Sequence, residues 1–114
     1  MALASITKTQ KSGNVLECQV AFETDSPFFD GHFPNDPIVP GVAQLHTVVS
    51  LCSELVGHPV TLTGIRRMKF SRPVYPSMEL LLRIEAHRDR PSARWTLSHD
   101  RKPVSTGDLE WEPV

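Results

Sequence analysis

The stretch PGVAQLHTVVSLCSELVG, residues 40–57, decides the fold of this 114-residue chain. Pro40 and Gly41 suit the first turn of a helix, where a proline costs least, and Gly57 suits the position just past the helix end. The residues between them are apolar on nearly every face. A helix of that kind needs packing partners on more than one side. The sequence therefore predicts a helix from Gly41 to about Val56 that other elements surround.

Strands are predicted on both sides of this helix. Apolar residues recur at every second position of residues 16–22, which is the pattern of a half-buried strand. A weaker strand at residues 4–9 precedes it across the turn signal KSGN, so the two form a predicted hairpin. Four more strands are predicted at residues 59–70, 78–87, 93–99 and 104–111. Residues 25–41 carry four prolines, which exclude a regular element and predict an ordered loop.

The order of these elements indicates an α+β fold. One long central helix wrapped by a single curved antiparallel sheet accounts for it, because the sheet has one apolar face to bury and the helix needs burial. We expect residues 1–114 to form one domain, since that length is close to the commonest domain size. The outer face of the helix would then be covered by a second copy of the domain, so we expect a dimer.

The composition argues against several functional classes. A net charge of −1 and a sequence pI near 6.5 disfavour a dedicated nucleic-acid binder. The longest apolar run is interrupted by polar residues, so no membrane span is expected. The N-terminus lacks a basic start followed by an apolar core, which predicts no signal peptide and a cytoplasmic protein. Cys18 and Cys52 are predicted to be small buried hydrophobic residues rather than a disulfide or a nucleophile.

Two further motifs carry a resemblance to a known family. The stretch GHFPNDPIVPGVAQLH, residues 31–46, and the stretch KFSRPVYP, residues 69–76, resemble the signatures of the hotdog-fold 3-hydroxyacyl-[acyl-carrier-protein] dehydratases of the FabA and FabZ type. The likeness extends over residues 27–86, with the strand and helix order expected for that fold. The piece PGVAQLH is similar, in particular, to the ApeI-type dehydratases of bacterial aryl-polyene and related lipid clusters.

The resemblance implies a reaction and a set of residues. These enzymes remove water from a 3-hydroxyacyl thioester, which requires a base for the C2 proton, an acid for the leaving hydroxyl and a donor for the thioester carbonyl. It implies that His32 is the base and that the backbone N–H of Gly41 is the carbonyl donor. It further implies that Phe33, Pro40 and Val42 contact the substrate and that no cofactor is needed. The prolines of the loop would hold His32 and Gly41 in a fixed relation.

The acid is where this sequence departs from the family. FabZ-type enzymes carry a glutamate, and FabA-type enzymes an aspartate, five residues after the helix-opening glycine, and here that residue is His46. An imidazolium can donate a proton near neutral pH, but the positive end of the helix and a nearby second histidine both disfavour its charged form. The family builds each site across a dimer interface. We therefore expect either a slower acid step in a homodimer or a heterodimer in which a second hotdog subunit supplies a carboxylate.

A cluster of cations suggests a partner. Arg66, Arg67, Lys69 and Arg72 fall within seven residues without an acid, so they form either a solvated strand face or a docking surface for an acidic acyl carrier protein. No metal is predicted, because Asp30, His32, Asp36 and His46 lack the paired spacing of metal ligands. Two other functions stay open: a hotdog thioesterase, and a catalytically weak subunit that binds acyl chains and supports an active partner.

Overall fold

The computed structural model describes residues 4–23 and 38–113, which form six strands and one helix. In chain order these are β1 (Ala4–Ser12), β2 (Val15–Phe22), α1 (Gly41–Val56), β3 (Leu62–Phe70), β4 (Leu80–Ala86), β5 (Ser92–His99) and β6 (Lys102–Trp111). The predicted order of two strands, one helix and four strands is confirmed. The predicted proline-rich loop lies mostly outside the described residues.

The strands form a single antiparallel sheet in the order β1-β2-β4-β5-β6-β3. The alternation in the sequence sets its register, because Cys18 lies opposite Leu82 and Leu82 lies opposite Leu97, so that apolar side chains share one face. β3 joins the far edge next to β6, which leaves its other side without a strand among the described residues. The α+β prediction of one helix against one curved antiparallel sheet is confirmed.

The core lies between α1 and the inner face of the sheet. The helix buries one face, which consists of Ala43, Gln44, Thr47, Val48, Leu51, Cys52 and Leu55. Cys18 and Cys52 are both free and buried, as predicted, and burial raises the pKa of each thiol to about 11. Neither thiol ionises near neutral pH, so neither is a nucleophile in the folded protein.

Both ends of α1 follow the sequence signals. Pro40 has φ of −67° and extended backbone, so the helix begins at Gly41. At the other end Gly57 adopts the left-handed conformation, with φ of 85°, and its N–H donates to the carbonyl oxygen of Ser53 at 2.9 Å. Glycine takes this conformation without a steric penalty, which explains the sharp stop.

Candidate active site

Two hydrogen bonds and one aromatic contact hold the start of α1 in place. The N–H of Val39 donates to the carbonyl oxygen of Val74 at 2.7 Å, and the side-chain Nε2 of Gln44 donates to the carbonyl oxygen of Val39 at 3.4 Å. The ring of Phe70, at the end of β3, packs directly on Gly41, because a Cβ added to that glycine would lie 2.8 Å from Phe70 Cζ. Gly41 is therefore required here for close approach rather than for an unusual φ.

The helix start presents backbone donors. Pro40 accepts hydrogen bonds through its carbonyl oxygen from the N–H groups of Ala43 and Gln44, at 3.0 and 3.3 Å. Within residues 4–23 and 38–113 no acceptor is found for the N–H groups of Gly41 and Val42. The first turn carries neither a side-chain cap nor an acidic residue. Free amides and the positive end of the helix dipole together suit a ligand oxygen that bears negative charge.

Gln44 is a residue of this region that the sequence analysis missed. It is only 4% exposed, and its amide oxygen Oε1 has no hydrogen-bond donor. Long helical side chains lean toward the N-terminus of the helix, which brings the carboxamide beside the turn that precedes Gly41. An unpaired buried oxygen is rare and costly. The signal available in the sequence was a glutamine in the first turn of a largely apolar helix.

Exposed apolar side chains surround the helix start. Val42 is 60% exposed, Phe70 is 44% exposed, and Tyr75 follows Val74, whose carbonyl oxygen binds Val39. Single exposed apolar residues are ordinary, but Val42 and Phe70 lie beside backbone donors that have no acceptor among the described residues, which indicates a binding surface. Phe70 and Tyr75 were not singled out from the sequence, because only the folded chain brings β3 and the segment after it to this end of α1.

His46 lies on the exposed side of α1, a turn and a half beyond Gly41. It lines an apolar groove of about 390 Å³ with Val42, Leu45, Val49 and Ser50. It also lines a groove of about 610 Å³ between α1 and β1, whose lining includes Ser50 and Glu54. Glu54 is eight residues from His46, which is about 12 Å along a helix. The carboxylate of Glu54 is therefore too far along the helix to act at the position of His46.

Other predicted site residues fall outside the described part of the chain. His32 and Phe33 belong to residues 24–37, as do Asp30 and Asp36. Gly41, Pro40, Val42 and His46 are brought to one end and one side of α1. Among the described residues, no three histidine, cysteine, aspartate or glutamate side chains are grouped so as to hold a metal ion.

Two of the predicted docking residues, Arg66 and Lys69, share the outer face of the sheet because of a β-bulge. Arg66 lies opposite Asp108 and Lys69 opposite Thr106, with a register shift between the two pairs. In a regular strand, positions three apart would face opposite sides, so the bulge is what turns both cations outward. Arg67 lies in the bulge with φ of 53°. Arg72 is exposed in the segment that directly follows β3 and leads to the helix start.

One helix packed against a six-stranded antiparallel sheet is the architecture of a hotdog-fold protein. Residues 7–108 match the family model described as ApeI-like, ApeI dehydratase. The chain belongs to the ApeI-like dehydratase family.

The sequence relatives are 3-hydroxyacyl-[acyl-carrier-protein] dehydratases named FabZ. The enzyme of Syntrophobacter fumaroxidans is 32% identical over 74 residues, which cover 58% of this chain and 50% of the enzyme. The enzyme of a Hydrogenobaculum species is 37% identical over 70 residues, which cover 54% of this chain and 47% of the enzyme. The chain spans about half the length of the curated relatives it matches.

Solved structures share the whole fold. A chain of the dehydratase heterocomplex ApeI:P from Xenorhabdus doucetiae superimposes with a TM-score of 0.85 at 24% identity, over 94% of this chain and 96% of that one. An uncharacterized protein from Erwinia carotovora superimposes with a TM-score of 0.81, also at 24% identity, over 99% and 98% of the two chains. These likenesses establish the hotdog fold. No helix in the described residues is long and apolar enough to cross a membrane.

Proposed function

We propose that this chain is a subunit of a dehydratase that converts 3-hydroxyacyl thioesters, presented by acyl carrier protein, into trans-2-enoyl thioesters. The observation that carries the proposal is the helix start of an ApeI-like family member, where the N–H groups of Gly41 and Val42 have no acceptor among the described residues and the ring of Phe70 packs on Gly41. Donors held in place before the reaction stabilise charge that develops on a thioester carbonyl. Of the two, the N–H of Gly41 is the proposed donor.

The proposed step is an elimination. His32 takes the proton from C2, the electron pair forms the C2–C3 double bond, and the 3-hydroxyl leaves as water after it receives a proton from an acid. During this step the thioester oxygen gains negative charge, which the N–H of Gly41 offsets. Val42 and Pro40 flank that amide, and Phe33 adjoins His32, so these three residues are the proposed substrate contacts. No cofactor enters the reaction.

The source of the acid decides whether this chain works alone. His46 holds the corresponding position on α1, and the described residues of the helix carry their first carboxylate only at Glu54. We propose that a second hotdog subunit contributes the acid. The exposed apolar side of α1 and the unpaired edge of β3 support such a partner, because both surfaces expose groups that a second domain could cover. The structural relative is itself part of a dehydratase heterocomplex.

The test of the function compares the purified chain alone with the chain coexpressed with a candidate hotdog partner. We expect loss of water from a 3-hydroxyacyl thioester, followed by mass spectrometry, to be faster in the copurified complex. No enoyl product from either preparation would overturn the proposal, and release of free thiol would identify a thioesterase. A complex whose rate is unchanged by replacing His32 would instead make this chain a supporting subunit.

Replacing His46 tests the acid step directly. For the chain alone, His46→Glu is expected to raise the dehydration rate about tenfold, because a carboxylic acid would stand where the family carries one. In the complex the same change is expected to have little effect, since the partner supplies the acid. His58→Glu, just beyond the helix end, is the matched control and should change neither rate. An unchanged rate for His46→Glu in the chain alone would contradict the impaired-acid interpretation.

We also propose that Arg66, Arg67, Lys69 and Arg72 dock the acyl carrier protein. Arg66 already pairs with Glu110 at 2.9 Å, so reversing its charge would break a contact within the chain. Lys69→Glu with Arg72→Glu avoids that problem. The double change is expected to raise the KM for carrier-bound substrate about fivefold to tenfold and to leave the KM of a small thioester analogue unchanged. The reason is that only the acidic carrier protein is attracted by these four cations.

Salt and a distant cation provide the controls for docking. Lys8→Glu, on β1 at the opposite edge of the sheet, should leave both KM values unchanged. In the wild-type protein the advantage of the carrier-bound substrate should shrink as ionic strength rises, since exposed charges are screened. Equal changes of KM for the carrier-bound and small substrates would reject docking at these residues.

A further inference from the structure

A cavity of about 710 Å³ lies away from the candidate active site. It is on the outer face of the sheet, at the end where the β4–β5 hairpin meets the turn between β1 and β2. That position follows from two hydrogen bonds, from Ala86 N–H to the carbonyl oxygen of Asn14 at 2.8 Å and from Trp111 N–H to that of Pro91 at 3.0 Å. The start of α1 faces the opposite end, beside Val74.

Two arginines of the cavity are already neutralised. Arg94 Nε donates to Asp108 Oδ1 at 2.9 Å, and Arg66 Nε lies 2.9 Å from Glu110 Oε1. The hydrogen bond from Arg94 lowers the pKa of Asp108, so this carboxylate stays ionised at neutral pH and remains paired. These four residues therefore leave no net charge in the cavity.

Three other guanidinium groups line the cavity without a carboxylate partner among the described residues. Arg88 reaches only the side-chain Oδ1 of Asn14, at 3.5 Å, and Arg90 reaches only Nε2 of His87, at 3.4 Å. Arg67 forms no ion pair among the described residues, although its charge helps to lower the pKa of Asp108. Five arginines line the cavity against four carboxylates, those of Glu85, Asp89, Asp108 and Glu110, which leaves one more positive than negative charge. The cavity consequently has an excess of positive charge.

Arg67 reaches the cavity from a strained backbone conformation. Arg67 has φ of 53° in the β3 bulge, a backbone conformation that residues other than glycine and asparagine rarely adopt. A regular strand would direct Arg66 and Arg67 to opposite faces of the sheet, whereas both residues line this cavity. Bulges of this kind commonly redirect a side chain toward a functional site.

An unpaired hydroxyl lies at the floor of the cavity. Ser92 is 8% exposed, and its Oγ has no hydrogen-bond partner. Its backbone is occupied, since its N–H donates to the carbonyl oxygen of Arg90 at 2.8 Å and its own carbonyl oxygen accepts from His87 at 2.9 Å. The hydroxyl is thus a spare donor beneath a group of unpaired arginines.

We propose that this cavity binds a polyanion that carries phosphate groups. Guanidinium groups present several N–H donors in a fixed plane, and this arrangement binds the oxygens of a phosphate group in pairs. Arg67, Arg88 and Arg90 supply the charge, and Ser92 supplies a neutral donor. The site is separate from the helix start and does not depend on the proposed dehydratase activity.

The test measures binding of inorganic pyrophosphate to the full chain by calorimetry. We expect one saturable site whose affinity falls with added salt and falls at least about tenfold in the Arg88→Gln, Arg90→Gln double variant. Arg101→Gln with Lys102→Gln, two cations of the β5–β6 hairpin at the other end of the sheet, is the matched control and should bind normally. Ser92→Ala should weaken binding about twofold to threefold.

Other probes distinguish the source of the anion. Tighter binding of 4′-phosphopantetheine than of pyrophosphate would assign the site to the prosthetic group of a carrier protein, and the reverse would assign it to a free polyphosphate. Equal binding of pyrophosphate by the Arg88→Gln, Arg90→Gln variant and the control variant would overturn the proposal. Binding of poly-glutamate in place of pyrophosphate would overturn it too, because the surface would then recognise acidic protein.

Discussion

Replacing Gly41 with alanine is expected to lower kcat/KM for dehydration about 100-fold while the protein stays folded. The new Cβ would lie 2.8 Å from Cζ of Phe70 and 3.1 and 3.2 Å from its Cε2 and Cε1 atoms, so the ring or the helix start must move. The clash lies at the surface rather than in the core, because Phe70 is 44% exposed, and alanine is a better helix former than glycine, so the free energy of unfolding should change little. Disturbing a donor to a developing oxyanion costs about 10²–10³ in rate.

A second substitution tests whether the collision with the ring of Phe70 causes the loss of kcat/KM in Gly41→Ala. In the Gly41→Ala, Phe70→Ala double variant the methyl group has room, so at least a tenfold recovery of kcat/KM is expected if the collision with the ring is the cause. Activity and thermal unfolding should be measured on the same preparations of all variants. Wild-type activity in Gly41→Ala would contradict the role of the helix start, and a large fall in the unfolding temperature would make the loss one of folding instead.

Replacing Gly107 with alanine is expected to destabilise the fold by about 3 kcal/mol or more. Gly107 lies directly opposite Trp95 in the β5–β6 pair, and an added Cβ would lie 2.3 Å from Cη2 and 2.5 Å from Cζ3 of the indole. Trp95 is 1% exposed and its Nε1 donates to Oγ of the buried Ser105 at 3.3 Å, so the ring cannot move aside. Overpacking of a rigid core typically costs about 1–3 kcal/mol and sometimes more.

Two variants test that explanation by urea unfolding at one protein concentration. Gly64→Ala is the matched control, because its Cβ would meet only Glu110 Oε1, at 3.4 Å, and the change should cost less than about 1 kcal/mol. In the Gly107→Ala, Trp95→Leu double variant the methyl group fills part of the space left by the indole. Its destabilisation should be smaller than the sum of the two single changes. Additive losses would show that the indole is not the obstacle.

The structure separates two parts of the proposed chemistry. In our proposal the helix start provides the electrophilic part from this chain alone, since Val74, Gln44 and Phe70 all hold the segment that contains Gly41. The proposal treats the proton-donating part differently, because the resemblance to the family assigns the position of the acid to His46, which lies on an exposed side of α1. A division of labour between two hotdog subunits is consistent with this asymmetry, and the experiments on His46 and on copurification test it.

Much of the fold was predictable because its signals are local. The ends of α1 follow from Pro40, Gly41 and Gly57, whose backbone preferences act within one helical turn. The strands follow from alternation, although their ends were less certain: β3 begins at Leu62 rather than Pro59, and β4 at Leu80 rather than Met78. Proline cannot donate to a strand ladder, which explains why the strand begins beyond Pro59.

The packing around the site was not predictable, because it joins residues that are distant along the chain. Phe70 is 29 residues from Gly41, and no local pattern indicates that its ring will cover that glycine. The bulge that turns Arg66 and Lys69 to the same face arises from the pairing of β3 with β6. The alternation of apolar and polar residues in β3 does not predict it. The unpaired oxygen of Gln44 depends on which side of α1 faces the sheet.

The sequence by itself determined the elements, their order and the motifs that resemble the dehydratase family, because helix ends, strand alternation and turns depend on neighbours along the chain. Only the tertiary structure decided which amides at the start of α1 have no acceptor among the described residues, what packs on Gly41 and where the arginines of β3 and the β4–β5 hairpin converge. Those features arise from close contacts between separate elements. Contacts between residues that are far apart in the sequence produce no periodic pattern of residue types, so the sequence alone does not predict them.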